Sequence, residues 1–156
     1  SNEVERLADL VGPAVRQGDR MSMRAFQNAV GCVDVARGAL LWTRNVGGVN
    51  AIGGHADRVF GGDASDRLTA WHASSGETAW THERLLHRGL SGALAVGPSV
   101  VFGDSEGQVH FLSATDGSLQ LRLPTDGKPV TGTPVLAGTT LLVTTRAGGL
   151  FAFRPN

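Results

Sequence analysis

Short apolar runs separated by glycine dominate the chain. Val100-Val101-Phe102 and Leu141-Leu142-Val143 are apolar stretches closed by Gly or Thr, the pattern of strands covered on both faces. Leu119, Leu121 and Leu123 alternate with Gln120 and Arg122, the period-two pattern of a strand with one buried face. A helical period shows at Glu3 to Leu10, where Val4, Leu7 and Leu10 or Val11 share a side. Gly12-Pro13 ends it after about two turns, so it reads as a connector. The expectation is an all-β protein.

The punctuation itself repeats. Val30, Leu68, Val109 and Leu150 recur 38, 41 and 41 residues apart, a period in the range of propeller blades. Two residues before them stand Asn28, Asp66, Gly107 and Gly148, residue types that tolerate the left-handed backbone of a hairpin. Three residues after them come Val33, Trp71, Leu112 and Phe153, and eight after the first three come Gly38, Gly76 and Gly117. Four residues beyond those glycines lie Trp42, Trp80 and Leu121.

Each repeat therefore holds about four strands, the number in a propeller blade. The first follows Pro13, Ala51, Ala93 or Pro134, a hairpin pair comes next, and the Gly-x-x-x-Trp strand closes the unit. The reading is a β-propeller of four-stranded antiparallel blades over residues 1–156, with blades near 4–46, 47–84, 85–125 and 128–154. The last blade stops after its third strand, and the four blades read as part of a larger ring, with a small four-bladed ring of irregular closure as the alternative. Gly38, Gly76 and Gly117, with Trp42 and Trp80, are expected to be structural positions where one blade docks on another. Open terminal blades favour self-association of such a segment.

Composition narrows the function classes. Fourteen basic residues balance fourteen acidic ones, so bulk charge supplies no affinity for nucleic acid, and no nucleic-acid partner is expected. One cysteine leaves no internal disulfide framework. No uninterrupted apolar stretch approaches the ~18 residues of a spanning helix. Six phenylalanines, three tryptophans and no tyrosine give little material for an aromatic ligand cage.

The blade pattern resembles that of the quinoprotein-like propeller family, Ala-x-Asp-x-x-x-Gly-x-x-x-Trp. Cys32-Val33-Asp34 through Gly38 to Trp42 fits it. Ala70-Trp71-His72 through Gly76 to Trp80 keeps the spacing and loses the Asp, and the copy from Phe111 to Leu121 replaces both Asp and Trp. Within this family three stretches are similar to the lipoproteins of the outer-membrane β-barrel assembly machine. They are Glu3-Val4-Glu5-Arg6-Leu7-Ala8-Asp9, Leu85-Leu86-His87-Arg88 and Gly103-Asp104-Ser105-Glu106-Gly107. The resemblance implies an eight-bladed ring of which this chain is the C-terminal half, with the other half and an acylated cysteine outside it. It further implies a place on the periplasmic side of the outer membrane and a non-catalytic scaffold role. The implied partner is BamA, whose periplasmic domain is gripped by inter-blade loops. Arg6, Leu7 and Asp9 carry over as a candidate edge of the partner surface. The family has Asp-x-Asp here; Asp9 matches the first acid, and Val11 stands in place of the second, removing one charge from the contact.

Candidate chemistry is sparse. His55, His72, His82, His87 and His110 show no His-x-x-x-His spacing and no accompanying cysteine cluster, so no metal is expected. Asp104-Ser105-Glu106-Gly107 lacks the alternating acids of a calcium loop and reads as a hairpin turn. Cys32 shares a column with Ala70 and Ala152 and reads as a small buried hydrophobe. Ser91 lies near His87 without a Gly-x-Ser-x-Gly elbow, and no phosphate loop is present. No catalytic residue and no cofactor are therefore expected. Leu85 and Leu86 read as packing beneath a blade, with an exposed binding loop as the alternative. Two other functions stay open. A fragment of a quinone-dependent dehydrogenase would need a calcium-binding carboxylate set, and a glycan-binding propeller would need Trp71 exposed.

Overall fold

The computed structural model describes residues 11–25 and 29–155, and their regular structure is entirely β. Blade 1 comprises β1 (Val15–Gln17), β2 (Arg20–Ala25), β3 (Ala29–Asp34) and β4 (Ala39–Arg44). Blade 2 comprises β5 (Gly53–His55), β6 (Arg58–Gly62), β7 (Leu68–His72) and β8 (Thr78–His82). Blade 3 comprises β9 (Leu94–Val96), β10 (Ser99–Gly103), β11 (Val109–Ser113) and β12 (Leu119–Leu123). Blade 4 comprises β13 (Val130–Ala137), β14 (Thr140–Thr145) and β15 (Leu150–Phe153). Each sheet is an antiparallel meander in chain order, and among the described residues no closed barrel forms.

The repeating columns have a conformational cause. Asp66, Gly107 and Gly148 all adopt positive φ, as do Gly38, Gly76 and Gly117. These are the two turns that close the central hairpin and launch the last strand of each blade; Asn28 lies outside the described residues. In blades 1 to 3 the pairing of the third and fourth strands shifts register once, at Cys32/Val33, Ala70/Trp71 and Phe111/Leu112. That bulge adds twist at the same place in each blade.

The core sits between the sheets. Val30, Cys32 and Trp42 of blade 1 meet Val59, Trp71 and Ala73 of blade 2. Phe60, Leu68, Ala70 and Trp80 of blade 2 meet Val100, Phe102, Leu112 and Ala114 of blade 3. Val101 and Val109 of blade 3 meet Leu141 and Val143 of blade 4. The first strands β1, β5, β9 and β13 lie beside one another in succession, the inner rim expected of radially stacked blades.

Three local expectations change. Gly38 has the expected positive φ, but no described atom lies over it, whereas Gly76 and Gly117 are covered by Trp42 and Trp80. The leucine face of β12 is open: Leu121 is 47% exposed and Leu119 48%. In blades 2 and 3 a turn after the third strand receives the tryptophan of the preceding blade; that turn has no counterpart in the described part of blade 4. Finally, β13 begins at Val130, ahead of Pro134, and its pairing with β14 is interrupted between Thr131 and Val135, where the proline supplies no N–H.

Candidate partner-binding face

In a four-stranded meander the second-to-third-strand hairpin and the linker to the next blade emerge on the same side. The hairpin at 63–67, the linker at 83–93 and the hairpin at 104–108 therefore share one face. Backbone hydrogen bonds fasten them together: His87 N–H donates to Ser65 O (3.1 Å), and Ser105 N–H donates to Arg88 O (2.9 Å). The Asp66 carboxylate accepts from the N–H groups of Gly89 (2.9 Å) and Leu90 (3.1 Å). Asn50, in the preceding linker, donates to Leu90 O (2.6 Å). Leu85 anchors the ridge from below, buried in the core between blades 2 and 3, while His87 is exposed at φ 60°. Holding a non-glycine residue at positive φ costs of order 1 kcal/mol, which the surrounding bonds offset.

The hairpins are internally capped. Asp63 Oδ1 accepts from Ser65 N–H (2.8 Å) and Arg67 N–H (3.0 Å). In the next blade Asp104 Oδ1 accepts from Glu106 N–H (2.9 Å) and Gln108 N–H (3.0 Å). Thr145 holds the same column in blade 4, accepting from Gly149 N–H (3.2 Å) and donating to Asp126 Oδ2 (2.7 Å). The residues are 41 positions apart, a signal present in the sequence that the column analysis above passed over.

Asp104 is also the centre of a charged cluster. Its Oδ2 accepts from His110 Nε2 (2.8 Å) and Arg88 Nη2 (3.3 Å), and Arg88 Nη2 reaches Glu106 Oε2 at 3.0 Å. Arg122 Nε donates to His110 Nδ1 (3.1 Å). Burial lowers the His110 pKa; Asp104 works against that shift, and the Arg122 and Arg88 cations reinforce it. On the blade 1 side Arg24, 1% exposed, donates to Asn50 O (2.8 Å) and Gly62 O (2.7 Å) and so ties a linker to a hairpin. Its sequence position in a strand gave no sign of this.

Arg6, Leu7 and Asp9 lie outside the described residues. Val11, two positions on, donates its N–H to Arg24 O (2.8 Å). Among the described residues no three His, Cys, Asp or Glu side chains converge as a metal set. Cys32 is buried, which pushes its thiol pKa up and removes nucleophilic character. Ser91 Oγ accepts from Gly103 N–H (2.9 Å) and donates to Gly92 O (3.0 Å), a structural brace. Trp71, 2% exposed, lies in the core between blades 1 and 2 and offers no face to a sugar. Trp42 Nε1 donates to Ala73 O (2.8 Å) and Trp80 Nε1 to Ala114 O (3.0 Å), so both tryptophans dock blades. The loops of this face are braced against one another, and the surfaces between blades are consumed by packing.

Comparison with known proteins gives the same architecture. Residues 1–82, more than half of the chain, match the family model described as outer membrane protein assembly factor BamB. Outer membrane protein assembly factor BamB of Burkholderia pseudomallei (strain K96243) is 36% identical over 154 residues, covering 99% of this chain and 40% of that protein. The chain thus spans about two fifths of the length of the curated relatives it matches. The crystal structure of BamB from Moraxella catarrhalis superposes with a TM-score of 0.85 at 19% identity, over 92% of this chain and 43% of that one. Quinohemoprotein alcohol dehydrogenase from Comamonas testosteroni shares the fold at a TM-score of 0.60 and 18% identity, over 76% of this chain and 22% of that one.

Proposed function

The chain belongs to the outer membrane protein assembly factor BamB family, and from that premise we propose that it is a non-catalytic binding scaffold for outer-membrane β-barrel assembly. It works on the periplasmic side of the outer membrane, lipid-anchored in the full-length protein, and grips the periplasmic region of BamA through inter-blade loops. The observation that carries this reading is the stapled loop face. Linker 83–93 is bonded to the hairpins of both flanking blades, at His87 to Ser65 and at Ser105 to Arg88, so its backbone is already ordered before a partner binds. Arg6, Leu7 and Asp9 form one edge of the contact, with Asp9 accepting from a basic or backbone donor of the partner.

The test is retention of the full-length protein on immobilised BamA periplasmic region. Retention that weakens in Asp9→Arg supports both the role and the edge. Loss of all retention by the wild-type protein overturns the scaffold reading, while an unchanged affinity in Asp9→Arg removes Asp9 from the contact.

A further inference from the structure

His110 is fully buried in β11 and stacks on Phe102 with ring centroids 5.3 Å apart. Its two hydrogen bonds fix its protonation state. Nε2–H donates to Asp104 Oδ2, and Nδ1 accepts from Arg122 Nε. An arginine Nε–H can only donate, so Nδ1 carries a lone pair and the ring is neutral. The charged groups around it come from three elements: Arg88 from the linker, Asp104 and Glu106 from the hairpin, and Arg122 from β12. Elsewhere on this face Arg67 pairs with Glu83 (3.1 Å) and Asp63 (3.0 Å), the Asp66 carboxylate is taken up by the Gly89 and Leu90 N–H groups, and Arg84 is exposed.

A proton added to Nδ1 from solvent turns that nitrogen from acceptor to donor. Arg122 then loses its bond, and being exposed it turns to water. Asp104 Oδ2, already shared between His110 and Arg88, faces two full cations. His110 is locked in the core at 2.8 Å, whereas Arg88 is 37% exposed and already touches Glu106, so Arg88 is the group that leaves. We propose that His110 is a proton-operated latch that moves Arg88 from Asp104 onto the loop face, where it binds an acidic group of the partner. This rests on the reading of that face as the binding surface. By linkage, an acidic group that draws Arg88 outward raises the proton affinity of His110, and acid strengthens the contact by the same factor.

The experiment is an imidazole-nitrogen NMR titration of the full-length protein, with backbone shifts followed at residues 86–90. The Arg88→Gln substitution is expected to raise the pH at which His110 titrates, and in the wild type residues 86–90 are expected to shift with the same midpoint as the ring. A His110 titration unmoved by Arg88→Gln, or residues 86–90 that ignore it, overturns the latch. Binding to the BamA periplasmic region is expected to be about fivefold tighter at about pH 5.5 than at about pH 7.5. That difference is expected to vanish in His110→Gln, whose amide keeps a donor for Asp104 and takes up no proton. An undiminished pH dependence in that variant also overturns the latch. Should His110→Gln fail to fold, the Arg88→Gln titration decides. Wild-type protein that binds at neither pH overturns the functional reading, and the titration still judges the latch.

Discussion

Trp42 lies flat over Gly76, so close that a Cβ on the glycine would fall 2.5 Å from the indole Cδ2. The relationship recurs one blade on, where a Cβ on Gly117 would fall 2.5 Å from Trp80 Cε3. Both glycines also adopt positive φ, so each satisfies two demands, a left-handed turn and close approach of the ring. Gly76→Ala and Gly117→Ala are each expected to destabilise by about 2–4 kcal/mol, combining backbone strain with overpacking. Gly38→Ala meets the same φ but open space and is expected to cost about 1 kcal/mol. Denaturant unfolding of the three variants checks the order; equal losses would mean that the rings do not rest on Gly76 and Gly117.

Leu121 occupies the column of Trp42 and Trp80 but is 47% exposed. Trp42→Ala and Trp80→Ala each remove a buried ring and its bond to a carbonyl, at an expected cost of about 3–5 kcal/mol. Leu121→Ala in the 156-residue chain is expected to cost less than about 1 kcal/mol. Unfolding midpoints compared across the three substitutions test this. Leu121 lines an open groove together with Phe111 and Phe153, and a large loss at Leu121 would show that this groove is filled.

These contrasts mark what the sequence could reveal. The blade period was legible because left-handed turns admit few residue types, so Asp66, Gly107 and Gly148 stand out against any background. Trp42 and Trp80 were legible because each stands four residues after the turn glycine of its own blade, Gly38 or Gly76, and in the structure each ring rests on the turn glycine of the following blade, Gly76 or Gly117. The burial of β12 was misread because alternation reports which side chains share a face, whereas burial also requires a neighbouring sheet. Arg24 and the cluster of Arg88, Asp104, His110 and Arg122 escaped notice for a related reason. Their partners come from other strands and linkers, and no local period encodes them. The Arg6, Leu7 and Asp9 edge stands on resemblance, as the described residues begin at Val11.

Asp104 and Asp63 cap equivalent hairpins but differ in surroundings. Asp104 is fully buried and serves His110 and Arg88 as well as two N–H groups, while Asp63 is partly exposed and pairs with Arg67. Asp104→Ala strands those donors inside the protein and is expected to cost about 3–5 kcal/mol. Asp63→Ala leaves groups that water can reach and is expected to cost about 1 kcal/mol. Asp104→Asn, which keeps the shape and the capping oxygen, is expected to fall between them. Thermal unfolding of the three variants is the measurement, and a smaller loss for Asp104→Ala than for Asp63→Ala would remove the buried cluster from any role in stability.

Stability is expected to fall as the pH drops below 6.5, the ordinary value of a histidine in the unfolded chain. Burial lowers the folded-state pKa of His110, with Arg122 and Arg88 adding to the shift. Between the lowered value and 6.5 the unfolded chain therefore binds the extra proton and the folded one does not, so acid favours unfolding. The loss is complete once the pH passes below the folded value. A second, more acidic limb comes from carboxylates held below the usual 3.8: Asp126 by the Thr145 hydroxyl and Asp116 by the Ser118 hydroxyl. Their contribution is present above 3.8 and is lost as the pH falls through their folded values. Urea unfolding across this range separates the limbs, because His110→Gln is expected to flatten the first and leave the second in place. A first limb that survives the substitution would assign it to another histidine.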